Sequence, residues 1–203
     1  MTTLKIRKGK TFSHVIRYGI KPFIYKAITN IDQSAPARVE AVSHGIVDGW
    51  PVAIVSVEGM REINAEYDPP RPTEYRQATV VDADTIEFND INASQFKAYV
   101  SGGYLQFYTP VDLVGSTPRM VVQTREGGEI IASSSAEHIL DGALAVSVAV
   151  DNPLKTISFV FSDEVTSAIT QKSAIFKCEL EDSLGAKHYL GSGDIEFSDE
   201  IVA

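Results

Sequence analysis

Short runs of alternating apolar and polar residues, each bounded by glycine, proline or asparagine, follow one another along almost the whole chain. A period of two places every second side chain on one face, which is typical of a half-buried strand and not of a helix. One segment, 162–169, indicates a helix, because Ser162 can cap its N-terminus and two acidic residues follow. The sequence therefore predicts an all-β protein.

The strand pattern changes character inside the chain. Segment 22–28 is apolar without alternation, and segment 31–39 is rich in Ser, Ala and Pro, which is typical of a linker into a new unit. Regular alternation returns only after Pro110. A first strand pair without further strands, followed by a strand series that lacks its beginning, indicates an insertion. The expected organisation is a β-sandwich of residues 1–19 and 110–203, with a module of residues 20–109 inserted after the first hairpin.

Turn residues divide the expected strands. Lys8-Gly9-Lys10 is expected to close the first hairpin, and 183–186 to close one near the C-terminus. Segment 68–72 contains three prolines, which remove ladder donors, so it is predicted to be an exposed loop. The strands are expected within 4–7, 12–18, 50–57, 78–81, 85–88, 119–124, 143–150, 154–161, 174–180 and 187–190.

Composition excludes several classes of protein. The 203 residues are 44% hydrophobic and 22% charged, as in ordinary globular proteins. A formal net charge of -9 repels phosphate backbones, so nucleic acid is not expected as a partner. No segment approaches the roughly 20 apolar residues of a membrane span, and no signal peptide is visible. Synthesis in a cytoplasm without membrane insertion is expected.

Cys178 is the only cysteine, so the chain cannot form an internal disulfide or a thiolate metal cluster. It lies in an apolar strand pattern and is predicted to be a small buried hydrophobic residue. A nucleophilic cysteine requires a neighbouring histidine or an electropositive pocket, and no pattern in the sequence places one there.

The polar residues of the inserted module are interpreted as structural. His44 and Asp48 could form a base with its orienting carboxylate, but no serine or cysteine has a defined relation to them. We therefore expect His44 to bind a backbone group at the start of the module. Asn64 is expected to cap backbone groups, with Met60 and Ile63 in the core. Ser101-Gly102-Gly103 is expected to form a bend.

No catalytic residue, cofactor site or metal site is predicted. Asp82-x-Asp84 and Asn89-Asp90-x-Asn92 resemble calcium loops only weakly. A carboxylate pair for glycoside hydrolysis could be assembled only by the fold. The aromatic residues could form a sugar-stacking face or could pack across strands, and both interpretations stay open. These aromatic residues are Trp50, Tyr67, Tyr75, Tyr99, Tyr104 and Tyr108.

Three motifs of the inserted module carry a resemblance to a known family. They are His44-Gly45 with Gly49, Gly59-Met60 with Ile63-Asn64, and Tyr99 to Gly103. In this order they resemble the small β-barrel known as the first catalytic-cysteine half-domain of ubiquitin-activating enzymes, a module that also recurs in bacteriophage structural proteins. The module lacks the catalytic cysteine, and the chain has no nucleotide-binding glycine loop. The resemblance therefore implies a small barrel and no ubiquitin chemistry.

The flanking segments resemble the Ig-like N-terminal domain of phage baseplate upper proteins. The resemblance rests on Lys8 to Phe12, on Val111 to Met120 and on the acidic strand ending near Gly191 to Phe197. It implies a non-enzymatic virion protein of a tailed bacteriophage, an assembly or connector component of the tail, baseplate or fibre-attachment apparatus. Its expected partners are other virion proteins and copies of itself in a symmetric assembly.

Other functions stay open at this stage. The protein could be a receptor-binding or carbohydrate-binding module on the virion surface, with possible host contact, or a collar or capsid-decoration protein. A small hydrolase with a carboxylate pair is a further alternative. The sequence does not indicate which virion substructure, copy number or docking partner applies.

Overall fold

The computed structural model describes residues 2–199. The fold is mostly β, with 49% strand and 9% helix arranged in several antiparallel and mixed sheets, as the sequence predicts. The chain divides into two compact units. The first unit comprises residues 2–18 and 112–199, and the second unit comprises residues 19–111. Within residues 2–199 no helix is long and apolar enough to cross a bilayer.

The strands and helices are short, as expected for a chain divided by frequent turns. Helices α1 and α2 span Ala136–Leu140 and Asp163–Ala168. The strands are β1 (Thr2–Arg7), β2 (Phe12–Arg17), β3 (Gly19–Ala27), β4 (Asn30–Ile31), β5 (Ala37–Glu40), β6 (Pro51–Glu58), β7 (Arg76–Gln77), β8 (Thr79–Val80), β9 (Thr85–Phe88), β10 (Ser101–Pro110), β11 (Thr117–Gln123), β12 (Ile130–Ser133), β13 (Leu144–Ala145), β14 (Ser147–Asp151), β15 (Thr156–Phe161), β16 (Ser173–Glu181) and β17 (Lys187–Ser198).

The first unit contains a six-stranded sheet in the order β1-β17-β16-β11-β12-β13 and a three-stranded sheet in the order β14-β15-β2. β1 pairs in parallel with β17, and β2 pairs antiparallel with β15. The predicted first hairpin is therefore wrong. Residues 8–11 carry the chain from one sheet to the other, because Leu4 and Ile6 join the core from the larger sheet while Phe12 and Ile16 pack onto it from the smaller one.

The core of the first unit lies among residues of both sheets. Alternate residues of β16 are buried, and Cys178 is among them, which confirms its prediction as a buried hydrophobic residue. The Ser162 hydroxyl accepts a hydrogen bond from the Val165 N–H at 3.3 Å, so the predicted cap of α2 is also confirmed. The largest fully buried side chains of this core are Ile6, Met120, Ile157, Phe159, Phe161, Leu180 and Ile195.

The second unit contains two four-stranded sheets, in the orders β3-β10-β6-β7 and β4-β5-β9-β8. The strands of residues 2–199 form no closed barrel, so the barrel expected for residues 20–109 is corrected to two sheets. The ladders end where the chain passes between the sheets. The Ile28 N–H still bonds to Gly103 of β10, whereas the next N–H, that of Thr29, bonds to Glu40 of β5.

Two segments of the second unit differ from their sequence interpretation. Segment 22–28 lies in strand β3, and the predicted linker 31–39 contains the β4–β5 hairpin, whose residues Ile31, Ala37 and Val39 are buried. β3 lacks alternation because it carries apolar side chains on both faces. The Ser- and Pro-rich stretch is the turn of a core hairpin and not a linker.

The two ends of the second unit lie side by side. β3 begins the unit and β10 ends it, and the two strands pair antiparallel with Gly19 opposite Pro110. The register shifts between Tyr108 and Thr109, which marks a bulge close to this end. A unit whose ends are neighbours costs little loop-closure entropy when it is inserted in another chain.

Candidate functional site

The outer surface of sheet β3-β10-β6-β7 is aromatic. Leu105 and Phe107 of β10 are buried in the core, so the alternating residues Tyr104, Gln106 and Tyr108 share the opposite face. The register places Tyr25 opposite Gln106 and Phe23 opposite Tyr108. We call this surface, formed by Phe23, Tyr25, Tyr75, Tyr104 and Tyr108, the aromatic face.

Three rings of the aromatic face pack against one another. Ring centroids lie 4.6 Å apart for Phe23 and Tyr108, 5.7 Å for Tyr75 and Tyr108, and 6.5 Å for Phe23 and Tyr75. The Gln106 amide donates a hydrogen bond to the Tyr75 hydroxyl at 3.0 Å. Burial is the largest cause that raises the pKa of Tyr75, and the neighbouring Tyr108 raises it further. These three rings stabilise the sheet by cross-strand packing.

The other two rings are open to solvent. Tyr25 and Tyr104 contact each other edge to face, with centroids 6.4 Å apart and an angle of 86° between the ring planes. Tyr25 is 54% exposed and Tyr104 46% exposed. Such exposure of paired rings leaves apolar surface for a ligand to cover.

A loop of residues 64–75 borders these open rings, and Glu74 holds it in shape. One Glu74 carboxylate oxygen accepts hydrogen bonds from the N–H groups of Glu66 and Tyr67, and the other accepts one from the Arg71 N–H at 2.6 Å. Desolvation raises the pKa of Glu74, because it disfavours the charged carboxylate. The three N–H donors stabilise the carboxylate more strongly and hold the pKa of Glu74 below its ordinary value. The loop is thus tied to a single carboxylate.

The same loop presents an aromatic side chain beside the open rings. Tyr67 is 38% exposed, and the Arg71 guanidinium lies 3.3 Å from the centre of its ring. The exposed loop predicted for residues 68–72 is confirmed, with one exception, since Pro70 is buried and anchors it.

Between the open rings and the loop lies a cleft of about 480 Å³, which we call the tyrosine cleft. Tyr25, Tyr67 and Tyr104 supply its aromatic walls. The remaining lining is largely polar and includes Ser56, Asn64, Glu66, Asp68 and Gln106. Two further clefts border the same loop. Arg76 lines both of them and forms a salt bridge with Asp90.

Backbone geometry next to the tyrosine cleft is unusual. Ser56 has φ of 60° in the middle of β6, and Gly103 of the facing strand has φ of 87°. A Cβ on Gly103 would lie 2.4 Å from Val57 Cγ2, so only glycine fits there. Ser101-Gly102-Gly103, which the sequence predicts to be a bend, belong to strand β10, where Gly102 and Gly103 both have positive φ. Ser56 is the strained residue here, because it is not a glycine, and strained residues concentrate at ligand sites.

The backbone role predicted for His44 is confirmed. His44 is buried, its Nδ1 accepts a hydrogen bond from the Ile46 N–H at 2.9 Å, and its Nε2 lies 2.9 Å from the Asp82 carbonyl oxygen. The proton must therefore be on Nε2, since Nδ1 is an acceptor. Asp48 does not pair with His44, because its carboxylate accepts from the Val80 N–H.

The acidic turn residues also bind backbone groups. Asp82 accepts from the Asp84 N–H at 2.9 Å, which is the leading cause that lowers the pKa of Asp82. Asp84 in turn accepts from the Ser43 N–H. Among the residues that the structure describes, no three His, Cys, Asp or Glu side chains are grouped so that they could hold a metal ion.

The aromatic residues named from the sequence fall into two sets in the structure. Trp50 is buried and donates to the Tyr108 carbonyl, and the Tyr99 hydroxyl lies 3.1 Å from the Ile28 carbonyl oxygen, so both are structural. Tyr67, Tyr75, Tyr104 and Tyr108 lie around one surface. Sequence reasoning missed Phe23 and Tyr25, although their spacing of two residues matches that of Tyr104, Gln106 and Tyr108.

A serine–histidine contact in the first unit is not a catalytic pair. Ser133 Oγ lies 2.9 Å from His138 Nδ1, which the sequence did not indicate. The hydroxyl is fully buried, lies 3.2 Å from the Met120 carbonyl oxygen and accepts from the Ser135 N–H.

Burial also raises the pKa of Cys178 to about 12, which leaves it a protonated thiol.

Comparison of the chain with protein-family models gives no match, and comparison with curated proteins gives none either.

Proposed function

We propose that the protein is a non-enzymatic structural component of a tailed-bacteriophage virion, placed in the tail, baseplate or fibre-attachment apparatus. In this proposal the first unit is an Ig-like sandwich that docks on a neighbouring virion protein. The second unit is a module related to the small barrel of ubiquitin-activating enzymes, opened into two sheets. The resemblances of Lys8 to Phe12, Val111 to Met120 and Tyr99 to Gly103 support this assignment.

The structural observation that carries the proposal is the pair of edge strands in the first unit. In the described sheets β1 bonds only to β17, and β2 bonds only to β15, so each leaves one side of its backbone unpaired. Edge strands of this kind accept a strand from a neighbouring chain. Lys5 and Arg7 are exposed on β1, so they favour an acidic partner surface.

We propose that copies of the chain assemble in a ring or on a hub through these edge strands. A strand edge on one copy that binds a different surface on the next copy generates a ring when the rotation closes. Virion substructures are built from such rings. Copies of this chain and other virion proteins are therefore its expected partners, and its mature location is the virion after synthesis in the host cytoplasm.

The direct test is analysis of purified particles. Mass spectrometry of virions should detect the chain, and cryo-electron microscopy should place it at fixed symmetric copies. Its absence from purified virions would refute the proposal.

A charge-reversal pair tests the edge strand itself. The double substitution Lys5→Glu with Arg7→Glu should abolish incorporation into particles, because it repels an acidic partner from β1. Lys97→Glu with Arg125→Glu is the matched control, since it changes the charge equally at exposed positions outside β1. Equal incorporation of both folded variants would show that β1 is not the docking edge.

A further inference from the structure

We propose that the tyrosine cleft binds a neutral pyranose sugar. This inference goes beyond the structural role proposed above and does not depend on it, because the cleft lies within the second unit and can be tested with the isolated protein. The candidate ligand is defined by chemistry: a six-membered sugar ring with an apolar C–H face and hydroxyl groups at its edge.

The apolar part of the recognition comes from the open rings. Tyr25 and Tyr104 stand at 86° to each other, so together they offer a flat surface and an adjoining wall. The C–H face of a pyranose can cover such a ring and remove its apolar surface from water. The packed rings of Phe23, Tyr75 and Tyr108 do not offer this surface, because they already cover one another.

The polar part comes from the side chains at the edge of the cleft. Glu66 and Asp68 are exposed and line it together with the exposed Ser56. Ionised carboxylates only accept hydrogen bonds, and bonds from neutral hydroxyls to them are charge-assisted. Sugar hydroxyls are suitable donors, and several of them surround each sugar ring, whereas apolar side chains carry no donor for these acceptors.

Charge restricts the class of sugar. Two carboxylates beside the open rings disfavour an anionic ligand such as a sialic acid or a phosphorylated sugar. The one cation of the neighbouring loop that contacts a cleft residue is Arg71, and its guanidinium lies over the Tyr67 ring. The net charge of -9 adds to the same preference. A neutral sugar is therefore favoured.

Hydrogen bonds hold both sides of the cleft in shape. Glu74 fixes the loop through three backbone N–H groups, and Asn64 binds the Val57 backbone at the other side of the cleft. A site held by such hydrogen bonds loses little conformational entropy on binding. Its volume of about 480 Å³ accommodates one or two sugar rings.

The test uses the full chain and a panel of free sugars. Saturation-transfer-difference NMR with methyl glucopyranoside, methyl galactopyranoside and N-acetylglucosamine should show saturable binding of at least one at millimolar concentration. N-acetylneuraminic acid should bind more weakly than the neutral sugars. Failure of every neutral sugar to bind, or stronger binding of the anionic one, would overturn the proposal. Tetramethylammonium serves as a further probe, and its preferential binding would reassign the cleft to a quaternary ammonium.

Substitutions locate the binding. Tyr25→Ala and Tyr104→Ala should each weaken the affinity about fivefold or more, as expected for truncation of a tyrosine that a ligand covers. Tyr25→Phe and Tyr104→Phe should retain most of it, because the ring remains. Tyr189→Ala is the matched control, since Tyr189 is 59% exposed but lies in the first unit. Unchanged affinity in both folded alanine variants would contradict binding at this cleft.

Discussion

Both ends of the Asn64 carboxamide are bound to one residue, Val57. Asn64 Oδ1 accepts a hydrogen bond from the Val57 N–H at 2.8 Å, and Asn64 Nδ2 donates one to the Val57 carbonyl oxygen at 3.0 Å. The side chain thus takes the place of a neighbouring strand at a point where Ser56 departs from extended geometry. The capping role predicted for Asn64 is confirmed.

Removal of this contact should destabilise the second unit. Asn64→Ala leaves two part-buried backbone groups of Val57 without their partner, which costs about 2 kcal/mol in the free energy of unfolding. Trp50, the only tryptophan, is buried in the second unit, so its fluorescence in urea reports the unfolding of that unit. Asn92→Ala removes an exposed asparagine whose Oδ1 accepts hydrogen bonds from the nearby Ser94, and it should cost about 0.5 kcal/mol or less. Equal effects of the two substitutions would contradict the bracing role of Asn64.

Adjacent glycines of β10 should differ in their tolerance of a side chain. Gly102 and Gly103 both have positive φ, so alanine at either position carries a backbone cost of about 1 kcal/mol. Only at Gly103 would the new Cβ meet a side chain at 2.4 Å, whereas at Gly102 the nearest atom is 3.4 Å away. Gly103→Ala should therefore cost about 2 kcal/mol more than Gly102→Ala, because overpacking adds to the backbone cost. Urea unfolding followed at Trp50 measures both, and similar midpoints would refute the close approach of Val57.

Cys178 should be inert in the folded protein. Burial raises the pKa of its thiol to about 12 from an ordinary value of 9.0. A thiol reagent at neutral pH should therefore modify Cys178 only when the first unit unfolds. The urea concentration at which modification begins then measures the unfolding of that unit. Rapid modification of the native protein would contradict the burial of this side chain.

The raised pKa of Cys178 makes the stability of the first unit depend on pH in the alkaline range. The unfolded thiol loses its proton at a lower pH than the folded one, so the contribution of Cys178 is complete below about pH 9 and is lost as the pH rises toward about 12. Cys178→Ala lacks this titration. The difference in unfolding midpoint between the wild-type protein and Cys178→Ala should shrink over that range, and a constant difference would contradict the shift.

Glu74 should order its loop in a pH-dependent way. Its pKa is lowered in the folded protein, so the carboxylate bonds persist above the ordinary value and are lost as the pH falls through the lowered one. The protection factors of the Glu66, Tyr67 and Arg71 amides, which compare each measured exchange rate with the intrinsic rate at the same pH, should then fall, as measured by NMR hydrogen exchange. Glu74→Gln should raise the exchange at neutral pH, because it replaces one accepting oxygen by a donor. Glu62→Gln is the control, since Glu62 contacts the Lys97 N–H instead.

Local patterns were sufficient where neighbours in sequence are partners in the structure. The β16–β17 hairpin around 183–186, the hairpin of β8 and β9, and the cap of Ser162 each depend on residues close in the chain. The backbone role of His44 was accessible for a similar reason, because one of its two partners is Ile46.

Pairing between strands far apart in the chain could not be predicted from local sequence patterns. No local signal in Leu4 or Ile6 indicates that β1 pairs in parallel with β17, and the turn at Lys8-Gly9-Lys10 suggested a hairpin instead. The tyrosine cleft was missed for the same reason. Tyr25 and Tyr104 become neighbours only through the β3–β10 register, and β3 itself shows no alternation.

The positions of β1 and β17 have a mechanical consequence. Tension that enters before Thr2 and leaves after Ser198 pulls two parallel neighbours along their length in opposite directions, so their backbone hydrogen bonds resist in shear and share the load. The second unit is bypassed, because Gly19 and Pro110 lie opposite each other and little force passes through the strands between them. Single-molecule pulling should therefore give one high-force event at the β1–β17 contact before any extension of the second unit. A chain built this way can carry axial load in one unit while the other remains at rest.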